Sequence, residues 1–219
     1  MIDLERKAVR TKVLVSSSLL VIGFCTFSYY LLDIRISCYF RSINPLVEIL
    51  FRYITSLGKS TWYLIISMIM FITSRYVYKS YLVASKSIFI FLTIAVSGII
   101  NDIVKYCLGR YRPNALFYDH LYGFDFLEHS YSMTSFPSGH ANTITAVMLA
   151  AYFLIPKYRW LYIVIAVSVI ASRVVLCEHY LSDVVFGSYL AMLTTVYLKS
   201  VFVRRNIGIF PVVLKDPAL

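Results

Sequence analysis

Six apolar runs, each about as long as a helix needs to cross bilayer hydrocarbon (roughly 20 residues), limit what this chain can fold into. They lie at 13–34, 61–78, 87–107, 139–155, 160–177 and 181–203. Composition agrees: 59% of the residues are hydrophobic and 15% charged, where soluble domains carry roughly 45–50% and 25%. The mean hydropathy is +0.73. A soluble globule of 219 residues has too little interior to hide that much apolar surface. The apolar content excludes disorder, and 8 Gly with 6 Pro exclude a collagen-like or low-complexity chain. The reading is an all-α integral membrane protein, one domain over 1–219.

The first run is too long for a signal-peptide core of roughly 7–15 residues, and no small-residue cleavage site follows, so it is read as a retained helix. Between the first two runs, Leu46, Ile49, Leu50, Tyr53, Ile54 and Leu57 recur at helical spacing. That pattern predicts an amphipathic interfacial helix over 44–58, ending at Gly58. The stretch from Leu108 to Phe136 is too polar and too rich in Gly and Pro to span. The expected architecture is therefore a bundle of six transmembrane helices with an interfacial helix after the first.

The formal charge of +10 is spread beside the apolar runs rather than in one stripe, which speaks for membrane orientation and against nucleic acid. With six spans, 13 Lys and Arg fall on the side of the termini and 8 on the other, while the acids split 3 against 8. The positive-inside rule then puts both termini in the cytoplasm. Cys25, Cys38, Cys107 and Cys177 show no metal-ligand spacing and read as small hydrophobes rather than a disulfide framework.

Three polar clusters break the apolar background. One is Lys105 with Arg110, Arg112 and Pro113 at the end of the third span; the second is Pro137-Ser138-Gly139-His140 opening the fourth. The last is Ser172-Arg173, His179 and Asp183, joining the fifth and sixth. Six crossings bring all three to the side opposite the termini. His179 and Asp183 stand at i and i+4, so the carboxylate can accept from one imidazole nitrogen and leave the other free as a nucleophile or base. Ser138 and Gly139 sit at a helix start, where free N–H groups favour an anion. Lys105, Arg112 and Arg173 add permanent cations, two of them able to grip phosphate bidentately. Taken singly, a Lys or Arg at a span end is usually a snorkelling anchor and an Asp at a helix start usually a cap. The joint occurrence of ionisable groups on one side of an apolar chain carries the inference to phosphoryl transfer.

Lys105-x6-Arg112-Pro113, Pro137-Ser138-Gly139-His140 and Ser172-Arg173-x5-His179-x3-Asp183 together resemble the three-part signature of the type 2 phosphatidic acid phosphatase superfamily, with no signature position replaced. That superfamily includes bacterial lipid phosphatases, undecaprenyl diphosphate phosphatases, lipid A phosphatases, glucose-6-phosphatase and vanadium haloperoxidases. The resemblance implies that His179 attacks phosphorus to give a phosphohistidine, oriented by Asp183. His140 would protonate the leaving oxygen and then activate water. Lys105, Arg112 and Arg173, with Ser138 and the Gly139 amide, would hold the phosphate.

It also implies an enzyme with no metal and no cofactor, acting on a monoester or diphosphate of a membrane lipid. Undecaprenyl diphosphate, phosphatidic acid, phosphatidylglycerol phosphate and lipid A phosphate are the candidates. The site would face outward from a bacterial inner membrane. A soluble sugar phosphate as substrate, or a non-catalytic lipid-binding relative, is the alternative. The expected partners are the lipid phosphate and the bilayer, with no nucleic acid and the oligomeric state left open. Outside the signature, Glu178 reads as a solvated interfacial acid, Arg110 as facing lipid headgroups, and His120 and His129 as loop residues.

Overall fold

The computed structural model describes residues 2–127 and 130–210, so His129 lies outside the described residues. Helix α1 (Ile2–Leu31) stops earlier than the apolar run suggests, and a short α2 (Asp33–Phe40) follows a break at Leu32. The break has a cause: Asp33 is fully buried and accepts from Ser28 Oγ at 2.6 Å, which turns the chain end inward. Then come α3 (Pro45–Ser56), α4 (Ser60–Ile72) with a π-turn at Thr73–Val77, and α5 (Tyr81–Leu108). The polar stretch holds only α6 (Pro113–Asp119) and a 3₁₀ turn at Tyr131–Met133. Helices α7 (Gly139–Leu154), α8 (Arg159–Val175) and α9 (Leu181–Arg204) complete the order. Among the described residues β-structure is limited to isolated bridges at Arg110.

Among the described residues five stretches are long and apolar enough to cross a membrane: Thr11–Leu31, Pro45–Val77, Tyr81–Leu108, Pro156–Val175 and Leu181–Arg204. Helix α7, with 16 residues, falls short of that length but sits at the centre, packed on α5, α8 and α9. Its Ala141, Ala146 and Ala150 are fully buried, as is Ala191 of α9, so small residues let the backbones approach closely. The tightest approach is at Gly187 of α9, where a Cβ would lie 2.6 Å from the Ser138 carbonyl oxygen. Asn142 Nδ2 donates to the Gly187 carbonyl at 3.1 Å across the same seam.

Large apolar side chains coat the outside, among them Leu20, Trp62, Ile66, Ile103 and Val164. A continuous apolar exterior of this extent is incompatible with water, and the protein is an all-α integral membrane protein. In α3, Asn44 caps the start by accepting from the Leu46 amide at 2.8 Å, and Pro45 occupies the first turn. Leu46, Ile49, Leu50 and Tyr53 point outward while the helix packs against α8.

Candidate active site

The C-terminal ends of α5 and α8, the N-terminal ends of α7 and α9 and the α3–α4 junction meet at one end of the bundle. Lys105 occupies the last turn of α5, and Gly109 ends that helix in the left-handed region (φ 49°), returning its N–H to the Lys105 carbonyl at 3.1 Å. The following segment is fixed on two sides by backbone bonds. Arg112 N donates to Ser132 O at 2.7 Å, and Ser135 N to Arg110 O at 3.0 Å. This anchors Arg112, whose side chain lies over the Tyr131 ring and donates to Tyr131 O, Thr134 and Glu178.

Ser138 is the N-terminal cap position of α7, and its amide donates to the Asp183 carbonyl at 3.1 Å, tying two motifs together. The free first N–H groups of α7 sit beside Lys105, for a Cβ at Gly139 would be 3.9 Å from Lys105 Nζ. The His140 ring lies against Gly58. Arg173, in the last turn of α8, donates to Thr55 Oγ1 of α3 at 2.8 Å. Its carbonyl accepts from both the Glu178 and His179 amides, closing a tight turn in which Cys177 takes φ 52°.

His179 is 2% exposed. Its Nδ1 is 2.7 Å from the Ser135 carbonyl, which can only accept, so Nδ1 carries the proton and Nε2 keeps a free lone pair. Burial, then the charges of Arg112 and Arg173, push the imidazole down to about 3 against the pull of Asp183. His179 is thus neutral through the working range.

The structure brings Lys105, Arg112, Ser138, Gly139, His140, Arg173, His179 and Asp183 to one end of the bundle, and corrects three details of the sequence reading. First, the nearest partner of His179 Nδ1 is Ser135, with Asp183 Oδ2 at 3.7 Å. The i, i+4 spacing puts the two side chains on one face, but Asp183 Oδ2 is drawn to the Tyr180 amide (2.8 Å) and Ser135 Oγ (2.6 Å). Second, Arg110 does not face headgroups. It is 1% exposed and paired with Asp33 and Asp183, because two buried carboxylates need a buried cation. Third, Glu178 is partly exposed but not merely a solvated acid: its carboxylate lies 3.1 Å from Arg112 and 3.6 Å from Arg173, between the two guanidinium groups. His120 is an exposed loop residue, ending α6 at φ 59°. Ser135, Thr55 and Asp33 escaped the sequence reading; an Asp beside an apolar run is the one signal that marked any of them.

Residues 86–207 match the model of the PAP2 superfamily. Lipid A 1-phosphatases of Rhizobium etli and Rhizobium johnstonii are 30% and 32% identical over 165 and 166 residues. These alignments cover 68% of this chain in both cases, and 71% and 67% of the relatives. Among solved structures, the transmembrane PAP2-type phosphatidylglycerolphosphate phosphatase of Bacillus subtilis superposes with a TM-score of 0.66 at 26% identity, covering 87% of this chain and 96% of that one. LpxE of Aquifex aeolicus shares the fold, with a TM-score of 0.60 at 16% identity over 77% and 95% of the two chains.

Proposed function

From the premise that this chain belongs to the PAP2 superfamily and is a membrane lipid phosphatase, we propose that it works through a phosphohistidine on His179 at the outer face of a bacterial inner membrane. The observation that carries the mechanism is the buried, neutral His179 with Nδ1 committed to Ser135 and Nε2 free, in a pocket of fixed cations.

In the first step the Nε2 lone pair forms a bond to phosphorus as the P–O bond to the lipid breaks, and His140 gives its proton to the leaving oxygen. In the second, His140 takes a proton from water, whose oxygen attacks phosphorus, and the P–N bond breaks to release inorganic phosphate and restore His179. Through both steps Lys105, Arg112, Arg173, the Ser138 hydroxyl and the Gly139 amide hold the equatorial oxygens, where charge must be stabilised. Asp183 faces Nδ1 as the imidazole gains positive charge.

The relatives named lipid A 1-phosphatase make the 1-phosphate of lipid A the first substrate to try, with phosphatidylglycerol phosphate second. The test is phosphate release from a panel of those two lipids, phosphatidic acid, undecaprenyl diphosphate and a sugar phosphate in detergent. Turnover of a lipid phosphate supports the reading; exclusive turnover of the sugar phosphate overturns it. Six crossings, counting the short α7, and one functional unit over 1–219 belong to the same proposal.

A further inference from the structure

Arg110 lies in the variable x6 gap of the first motif, yet among the described residues no arginine is more thoroughly enclosed. Its two terminal nitrogens reach four partners: Asp33 Oδ2 at 2.8 Å, Tyr122 OH at 3.1 Å, Ser182 Oγ at 2.6 Å and Asp183 Oδ1. The rings of Tyr180, Tyr29, Phe124 and Tyr122 stand 4.4–5.5 Å from the guanidinium carbon. Asp33 is itself held by Ser28 Oγ and by the amide and hydroxyl of Ser182, so α2 grips the first turn of α9. Asp33 lies before the segment that matches the family model.

The other oxygen of Asp183 accepts from Ser135 Oγ, and the carbonyl of that same Ser135 holds His179 Nδ1. A chain of contacts therefore runs from Asp33 through Arg110 and Asp183 to the Nδ1 edge of the imidazole, directly and by way of Ser135. We propose that Arg110, anchored by Asp33, is a positioning residue that keeps Asp183 charged and in place beside His179 for the moment when the imidazole takes the phosphoryl group. The role rests on the phosphohistidine reading. Arg110 touches no reacting atom; it acts through Asp183, whose negative charge is wanted once His179 becomes a phosphorylated cation.

A guanidinium that merely tied the 109–136 loop to α9 would leave a different signature when removed. The titratable groups around Asp183 are Arg110, His179, Asp33, Tyr122 and Tyr180, with Lys105 of α5 and Cys25 of α1. Taking away the one cation in contact favours the neutral acid. For Arg110→Gln, kcat measured across pH with saturating lipid phosphate should fall at low pH. Its acid limb should move up by at least about one pH unit, tenfold in the equilibrium, with KM little changed.

Arg110→Lys keeps the charge and should keep the limb near its wild-type position. If Arg110→Gln does not fold, because it leaves two buried carboxylates unpaired, Asp33→Asn with Arg110→Gln is read in the same way. That pair leaves the summed charge of the three groups unchanged. A kcat that falls by one factor at every pH, or does not fall, overturns the proposal. If the wild type hydrolyses lipid phosphate but the limb stays put, this inference alone fails; if the wild type hydrolyses none, the functional reading fails first.

Discussion

The imidazole of His140 rests against the backbone of Gly58: a Cβ placed at 58 would lie 2.7 Å from His140 Cδ2 and 3.0 Å from its Cβ and Cγ. The α3–α4 junction is thus the back wall of the proposed acid. Gly58→Ala should push the ring off its position and mimic loss of its proton transfer, worth about 10²–10⁴-fold. The deficit should be large for a lipid phosphate with a poor leaving group. It should be small for an activated aryl phosphate, which leaves without a proton. Equal losses on both substrates would mean that the substitution damages phosphate binding instead. His140→Ala should show the same split more strongly.

His179→Ala should abolish turnover in protein that is still folded and inserted, since no other side chain stands ready to take the phosphoryl group. Residual activity above about a tenth of wild type, in a preparation free of other phosphatases, would sink the nucleophile assignment.

The same histidine predicts a pH dependence of stability. Its folded value is about 3 against an ordinary 6.5, so between those values the unfolded chain binds a proton that the folded chain refuses. Stability from this group is complete above about 6.5 and drains away as pH falls toward 3. Thermal unfolding in detergent should show His179→Gln losing less stability than wild type on acidification. A variant that loses as much would place the acid sensitivity elsewhere.

Glu178 lies where an anion would, between Arg112 and Arg173. Its carboxylate competes with phosphate for both guanidinium groups. Glu178→Gln should therefore strengthen inhibition by vanadate, which mimics five-coordinate phosphorus, by about fivefold, the worth of one partly exposed ion pair of ~1 kcal/mol. Weaker inhibition would mean that Glu178 positions the arginines rather than blocking them. In the same assays a chelator should leave activity intact; complete loss, restored by Mg²⁺ or Zn²⁺, would require another mechanism.

How much of this could be read from sequence depended on which side of each helix a residue faces. Runs of apolar residues locate both ends of α8 and α9 and the C-terminal end of α5 within two positions, because lipid enforces helix there, while α5 starts six residues before its run. Lys105, His140 and Arg173 were legible because ionisable groups in such runs demand a reason, and His179 because Asp183 follows it at helical spacing. Arg110 and Glu178 were misread for the converse reason: each lies outside a span, where a charge is cheap, and only the fold shows that Asp33 and two arginines enclose them. The Ser135 carbonyl that fixes the His179 tautomer is a backbone group and leaves no mark in side-chain spacing.

Burial of Arg110 also sharpens the prediction of where the chemistry happens. Of the 8 basic residues on the site's side, Lys105, Arg112 and Arg173 belong to the site, and Arg110 is neutralised by Asp33 and Asp183. With six spans, what is left to steer insertion is 13 Lys and Arg counted in sequence on the side of the termini against 4 on the other, namely Arg35, Arg41, Arg52 and Lys59. By the positive-inside rule that bias predicts termini in the cytoplasm and a site outside it. Asp125, in the loop over the site, and Lys157, between α7 and α8, are both exposed. In a background lacking the four native cysteines, Asp125→Cys should react with a membrane-impermeant maleimide in intact spheroplasts and Lys157→Cys should not. Labelling at 157 alone would invert the protein. The enzyme would then draw its substrate from the inner leaflet, and the charge count would have failed.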